Sequence, residues 1–496
     1  MFKEFINIGK NTIIYGIPDI VAKAVGFFMI PIYTRFLTPE DYGVMAMLLL
    51  FTGFVTLILP LSINTAFMRY YFEGKTEKEK NTVYSTALLF ITVLALIGVS
   101  ILMIFSKQAS FLLFGSIQYS FHVKLMLAAC LFQMIQIIPS QLFIARQNST
   151  IYASTQIISF IIHISLNVYL IAFLNLGLLG FLYSNLITAV LIGTFVFLLT
   201  IFQTGTKFSS YWLKPMFCYG APLMATSIFS YLYLQMDRFL LQKFSLLSEL
   251  GLYALALQFG NVLTYIIWPL SVSIGPFVLL NYKKEKSKEM FSRLFTYSFL
   301  LVLGFALALS IFIVNIFLIA VGKEFLTAYK LVPTLSLAFL INSCSFLAIG
   351  IGLEKKTKYA LYVSIITLIV ALVANLLLIP KLGAAGAAIS KVIIFAISIF
   401  LLYKISQKLY YIHYEFKRIG LALVLAIVLY FINTFIPIEP FFASIVLRGL
   451  VLLIFPLGLF LLGFFKKDEL DKLKEILSHF KHDGFRKTLN NYFLMK

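Results

Sequence analysis

Apolar residues run along this chain in blocks of about twenty, separated by short polar segments, almost to its end. Fourteen blocks fall at 12–31, 42–63, 82–105, 123–144, 150–173, 178–202, 216–236, 251–276, 292–316, 328–352, 359–379, 383–403, 419–437 and 443–465. A helix needs roughly 17–25 apolar residues to cross a bilayer, so each block predicts one spanning helix. A helix also satisfies its own backbone polar groups, as lipid requires. The pattern predicts an all-α polytopic membrane protein with 14 transmembrane helices. The connections between blocks are too short for a globular domain.

Composition narrows the class further. Of 496 residues, 61% are hydrophobic and 12% are charged, whereas a soluble domain carries roughly 25% charged residues. An ordinary soluble enzyme, a disordered chain and a coiled coil all fail on these figures. The net charge is +20, from 40 Lys and Arg against 20 Asp and Glu. In a soluble protein that excess would suggest nucleic acid; here it sorts by topology, and no nucleic-acid partner is expected. With the N-terminus inside, cytoplasmic segments hold 29 basic residues and outside loops hold 7. Both termini are therefore expected in the cytoplasm. Lys23, Lys124, Lys391 and Arg448 remain within spans. Cys130, Cys218 and Cys344 stand singly in apolar segments, which argues against a disulfide framework, zinc site or redox motif. No cleavable signal peptide is expected.

The pattern repeats. Tyr15-Gly16-Ile17-Pro18 opens the first span, and Tyr219-Gly220-Ala221-Pro222 opens the seventh, 204 residues later. Tyr42-Gly43 is echoed by Gly251-Leu252-Tyr253, and Leu176-Gly177-Leu178-Leu179-Gly180 returns as Leu382-Gly383-Ala384-Ala385-Gly386. Three matches in order at offsets of 204–208 predict two pseudo-symmetric six-helix lobes, residues 1–205 and 206–408. An even number of spans separates the copies, so their axis runs along the membrane normal with the substrate site between them. Spans 13 and 14, in residues 409–465, stand outside the repeat. In the tail, 466–496, Leu470, Leu473, Ile476, Leu477 and Phe480 recur at helical spacing, as in an amphipathic helix on the inner leaflet or one packed on cytoplasmic loops.

Catalytic and nucleotide motifs are absent: no G-x-x-x-x-G-K-[ST], no H-E-x-x-H, no G-x-S-x-G and no metal cluster. The chain is not expected to be an enzyme or to hold a cofactor. Glu40 and Asp41 sit in the first outside loop, where a membrane glycosyltransferase would keep catalytic carboxylates. Thr38-Pro39-Glu40-Asp41 is better read as a helix start, with a Thr cap, Pro at the first position and an acid three residues on.

Ionisable residues at depth carry more information, because a charge at a helix centre costs roughly 2.5–3.5 kcal/mol on insertion scales. Asp19 and Lys23 share a face of the first span and are either a self-neutralising pair or lumen groups. Lys391 lies roughly 13 Å into its span at 1.5 Å per residue, and its repeat equivalent is Asn185. Lys124 and Arg448 lie nearer the outer ends, where snorkelling accounts for them. Arg69 and Arg146 sit at inner helix ends, and Asp237-Arg238, at the end of the seventh span, reads as a local ion pair. His163, one turn from Asn167, is a proton relay or a hydrogen-bonded core histidine. The deep charges sum to more plus than minus, which suits an anionic substrate.

The run from Phe27 to Gly43, containing Ile30-Pro31-Ile32-Tyr33-Thr34-Arg35-Phe36-Leu37-Thr38-Pro39-Glu40-Asp41-Tyr42-Gly43, resembles the signature of bacterial polysaccharide-biosynthesis (Wzx-type) flippases. These belong to the multidrug/oligosaccharidyl-lipid/polysaccharide superfamily. Arg69-Tyr70-Tyr71, the stretch from Tyr219 to Arg238, and Gly251-Leu252-Tyr253 also look like that family. The resemblance implies a MATE-like V of two lobes plus two C-terminal helices, in the bacterial inner membrane. It implies transfer of undecaprenyl-diphosphate-linked oligosaccharide to the outer leaflet, beside a polymerase and a chain-length regulator. Lys23, Arg69, Lys391, Arg35 and Arg146 are the expected substrate-binding cations, and Asp19 the expected proton- or sodium-coupling residue. The alternatives are a cation/drug antiporter of the same fold, a peptidoglycan-precursor flippase, and a membrane glycosyltransferase or polymerase.

Overall fold

A computed structural model describes residues 26–27, 29–282, 284, 287–354, 356, 358–466, 469 and 471. Asp19, Lys23, nearly all of the first expected span and most of the expected tail helix lie outside the described residues. The helices in chain order are α1 (Ile30–Phe36), α2 (Pro39–Ile58), α3 (Ile63–Glu73), α4 (Glu77–Ile104), α5 (Ser106–Phe114), α6 (Ser120–Ala145), α7 (Ser149–Asn167) and α8 (Gly177–Thr204). They continue as α9 (Ser210–Phe244), α10 (Leu247–Asn281), α11 (Ser287–Ala320), α12 (Val332–Ser343), α13 (Ile349–Leu353), α14 (Lys358–Leu409), α15 (Phe416–Thr434) and α16 (Phe441–Leu461). No strand occurs among the described residues.

Eleven helical segments among the described residues are long and apolar enough to cross a membrane. One of them, α14, holds two expected spans, 359–379 and 383–403, joined at Gly383. α9 covers the expected span at 216–236 with a more polar sequence. Large apolar side chains point away from the protein along these helices, among them Ile369, Phe400 and Leu457. Water would not tolerate so much exposed apolar surface, and lipid favours it. The chain is a multi-pass, all-helical membrane protein.

Local chemistry sets the helix starts. Thr38 opens α2 with a capping box: its Oγ1 accepts from the Asp41 amide at 3.1 Å, and the Asp41 carboxylate accepts from the Thr38 amide at 3.1 Å. Glu40 accepts from the Tyr119 hydroxyl at 3.1 Å. The acidic pair thus starts and anchors a helix.

The repeat appears in the backbone itself. Gly177 and Gly383, 206 residues apart, have φ of +53° and +55°, a region open to glycine at little cost. Each begins a helical stretch, and at the second the Glu249 carboxylate accepts from the Ala384 amide at 2.7 Å. Gly43 and Gly251, 208 apart, show a reciprocal contact. A Cβ on Gly43 would stand 2.1 Å from the Leu247 carbonyl oxygen, and one on Gly251 would stand 1.9 Å from that of Pro39. The first turns of α2 and α10 therefore cross at backbone contact, each seating its glycine against the other's first carbonyl.

By packing the chain forms two compact units, residues 1–274 with 316–411, and 275–315 with 412–496. In the first, α4, α6 and α8 pack around Phe67, Tyr84, Ile138 and Leu142, and α9 packs along α14. α7 passes into a π-helical stretch at Val168–Phe173.

In the second unit α15 packs against α16, and Arg448 departs from the expectation of snorkelling. It is 3% exposed and donates to the Asn315 side-chain oxygen at 2.7 Å. Asn315 in turn donates to the Ser444 hydroxyl at 3.4 Å. Inside a bundle a polar neighbour serves the guanidinium better than a long reach to the interface. Lys124, by contrast, is exposed. At the α15 start, Arg418 bridges Glu415 and Glu469, each at 2.7 Å. Thr296 also donates to Glu415, at 3.1 Å.

Candidate functional site: a cationic cavity beside a buried ion pair

A cavity of about 360 Å³ opens within the first unit between α2, α9, α10, α12 and α14. Its apolar wall includes Met45, Leu49, Leu257 and Phe339, and its polar groups are Tyr42, Gln235, Arg238, Gln258, Asn261 and Lys391. The Tyr42 hydroxyl donates to the Gln258 side-chain oxygen at 2.7 Å. Apolar walls with a few convergent polar groups are the usual composition of a binding site.

Lys391 is deep, 5% exposed, and its charge is matched. Its Nζ lies 2.9 Å from the Asp237 carboxylate and donates to the Leu234 carbonyl at 3.0 Å. The Tyr253 hydroxyl donates to the same carboxylate. Lys391 also sits 5.8 Å from the Phe395 ring centroid. A buried ammonium and carboxylate are tolerable together and costly apart.

This arrangement corrects the reading of Asp237-Arg238 as a local ion pair. Helix α9 continues to Phe244, so Asp237 lies inside the bundle, 1% exposed, with Lys391 as its partner. Consecutive residues on a helix diverge by about 100°, and Arg238 is carried round toward the cavity wall. Among the described residues no carboxylate pairs with Arg238, and its Nε has no hydrogen-bond partner. Among the described residues Arg238 is thus a cavity cation that no carboxylate offsets by direct pairing. The sequence signal was present, an Arg one residue from a deep Asp, but a 154-residue separation hid the competing lysine.

The other expected cations lie elsewhere. Arg69, on α3, is exposed, pairs with Glu73 at 3.2 Å and stands 4.8 Å over the Tyr219 ring. Arg146, after α6, donates to Asn81 at 3.0 Å, Gln203 at 3.3 Å and the Tyr71 hydroxyl at 3.4 Å, all neutral acceptors. Arg35 ends α1 and donates to the Ile319 carbonyl at 3.4 Å. Arg35, Arg69 and Arg146 do not line the cavity. Asn185, the repeat equivalent of Lys391, joins a neutral network with Gln133 and His163. No group of three or more metal-ligating side chains occurs among the described residues.

Residues 8–278 match the family model described as polysaccharide biosynthesis protein. A protein of the Lsg locus of Haemophilus influenzae is 25% identical over 362 residues, covering 67% of this chain and 82% of the relative. Among solved structures, the Lipid II flippase MurJ in an inward closed conformation superposes with a TM-score of 0.70 at 17% identity. That match covers 90% of this chain and 98% of that one. An inward-facing multidrug-resistance MATE transporter of the MOP superfamily gives 0.60 at 15% identity, covering 79% and 94%. The helical membrane fold expected from the sequence is shared with these transporters. The chain shares its fold with these transporters and belongs to the polysaccharide biosynthesis protein family.

Proposed function

We propose that this protein moves a lipid-linked oligosaccharide, carried on undecaprenyl diphosphate, from the cytoplasmic to the outer leaflet by alternating access. The observation that carries the reading is Arg238, a cation without an acidic partner among the described residues, in a cavity lined besides by Lys391, amides, tyrosine and apolar groups. A guanidinium presents a planar fork of donors that fits phosphate oxygens, and amides and phenols suit sugar hydroxyls. Family membership and the likeness to a Lipid II flippase support a saccharide on a lipid carrier.

In this proposal residues 1–205 and 206–408 are the two moving lobes, followed by helices in 409–465 and a cytoplasmic tail. Both termini face the cytoplasm, and the Gly43–Gly251 crossing closes the outer side. Arg238 meets the diphosphate first. Lys391 joins when the substrate draws it from Asp237, and Lys23 is assigned to the same lumen. Arg69 and Arg146, which would lie at the inner mouth, attract the anionic headgroup on entry, and Arg35 guards the outer closure. A proton or sodium gradient drives return, with Asp19 as one coupling group. The protein works beside a polymerase and a chain-length regulator. A cavity with an unmatched cation suits an organic-cation substrate poorly, which favours the lipid-linked anion over the antiporter alternative.

The test is replacement of Arg238→Gln, and of Lys23 and Lys391 together, in the native host. Surface polysaccharide should fall at least tenfold, equivalent to roughly 1.4 kcal/mol, with lipid-linked glycan accumulating on the inner leaflet and membrane insertion unchanged. Unaltered export in Arg238→Gln would overturn the assignment of the site.

A further inference from the structure

A second polar cluster lies away from the cavity, where α7 meets α1, α6 and α8. Asn167, fully buried at the end of α7, donates from Nδ2 to the His163 carbonyl at 2.8 Å and to His163 Nε2 at 3.1 Å. Its Oδ1 accepts from the Tyr33 hydroxyl of α1 at 3.3 Å. Asn185 of α8 brings its Nδ2 to the same His163 nitrogen at 3.4 Å. The Asn185 Oδ1 accepts from Gln133 of α6 at 3.2 Å.

The protonation state of His163 follows from this pattern. The amide orientation of Asn167 is fixed independently, because only a nitrogen can donate to the His163 carbonyl. His163 Nε2 therefore accepts, and the ring is neutral with its proton on Nδ1. Four polar side chains from four elements are thus aligned by one unprotonated nitrogen.

We propose that His163 is a proton-binding site, and that its protonation releases the closure between the end of α1 and the segment after α11. A proton added at Nε2 removes the lone pair that Asn167 and Asn185 share. The new N–H needs an acceptor, so Asn167 must turn to present Oδ1. Turning ends both its bond to the His163 carbonyl and its acceptance from Tyr33. Tyr33 then loses the acceptor of its hydroxyl proton on α7. The residue after Tyr33 holds the closure: Thr34 Oγ1 accepts from the Gly322 amide at 3.0 Å, and Arg35 donates to the Ile319 carbonyl at 3.4 Å. The π-helical stretch that begins at Val168 lies next to Asn167, and such stretches give a helix a second register to adopt.

The groups facing His163 are Tyr33 from α1, Gln133 from α6, Asn167 from its own helix and Asn185 from α8. Only the Tyr33 hydroxyl among them titrates, and no charged side chain of the described residues bonds to this cluster. The proposal rests on the transport reading for its use, but its test needs no substrate.

Full-length protein in lipid nanodiscs, with Cys130→Ser, Cys218→Ser and Cys344→Ser, is spin-labelled at Gln118→Cys and Glu324→Cys. The distance distribution is recorded from about pH 8 to about pH 3.5, which takes in the ordinary imidazole range and the acid side of it. The expected result is a longer-distance population that grows as pH falls. It should be lost in His163→Gln, whose amide oxygen accepts the same bonds and cannot take the proton. It should also be lost in Tyr33→Phe, which retains the histidine and removes the connecting hydroxyl. Glu40, Asp41, His122 and Glu249 are unchanged in both variants. A pH response that survives His163→Gln, or none in the parent, would overturn the site. A response that survives Tyr33→Phe would overturn the route through α1. Failure of the parent to move lipid-linked glycan in a separate assay would sink the flippase reading and leave this result standing.

Discussion

Asp237 and Lys391 form an ion pair buried in the bundle, and its energetics make a direct prediction. Removing one member of a buried pair strands the other, at a cost of about 3–5 kcal/mol. Lys391→Met should therefore lower the thermal unfolding temperature of the detergent-solubilised protein sharply, and adding Asp237→Asn should restore most of the loss. A double variant no more stable than Lys391→Met alone would mean that the pair contributes nothing to the fold. Arg238→Gln strands no acidic partner among the described residues and should leave the unfolding temperature nearly unchanged while export falls. Depth was legible in the sequence: Lys391 stood out as a charge within a span. Its partner was not, because hydrophobic periodicity records which residues lie inside a helix but not which two helices face each other. Arg448 was misjudged for the same reason, its neighbour Asn315 lying 133 residues away on another helix.

Helix starts and crossings belong to a different scale, and there the sequence was read more fully. Thr38-Pro39-Glu40-Asp41 gave its own capping box because every participant lies within four residues. Thr38→Ala should cost about 1 kcal/mol, measurable as a lower unfolding temperature. The glycine echoes at offsets near 206 marked the repeat, yet their purpose was visible only when the two copies met. Gly43→Ala drives a methyl into the Leu247 carbonyl, and overpacking of this kind costs about 1–3 kcal/mol. The same substitution at Gly251 meets Pro39 and should have a similar effect. Because both act on one crossing, the double variant should cost less than the two singles added. Strict additivity would show that the contacts are independent. Element boundaries were less legible: α9 runs eight residues beyond the span expected to end at 236, because a polar stretch at depth resembles a loop when only hydropathy is read.

At the scale of the whole molecule, the chain forms two packing units, and the second holds a cluster of charges that makes its stability depend on pH. In the second unit, burial pushes the Glu415 carboxyl up, but the Lys466 ammonium and Arg418 guanidinium bonded to it outweigh that effect and hold it below the usual carboxylate range. Glu469 is depressed in the same way, burial being overcome by the Lys466 amide and the Arg418 side chain. A carboxyl depressed in the folded state stabilises it at pH values above the unfolded value, about 4.3 for Glu, and loses that contribution as pH falls through the folded value. Unfolding temperature should therefore drop below about pH 4.3, and Arg418→Gln should flatten that acid limb. An acid limb unchanged in Arg418→Gln would remove this cluster from the stability of the unit.

The ion pair beside the cavity also bears on how long a substrate stays. In the proposed function, a diphosphate that recruits Lys391 must draw it from Asp237, and the exposed carboxylate then repels the bound anion. Part of the attraction is cancelled inside the protein, so the occupied state is shallower than two free cations would make it. Affinity differences among variants of one site fall mostly on the off-rate, and a carrier that must let go on every cycle gains from a short residence time. On this view Asp237→Asn, in the molecules that fold despite the stranded Lys391, strengthens capture and slows turnover.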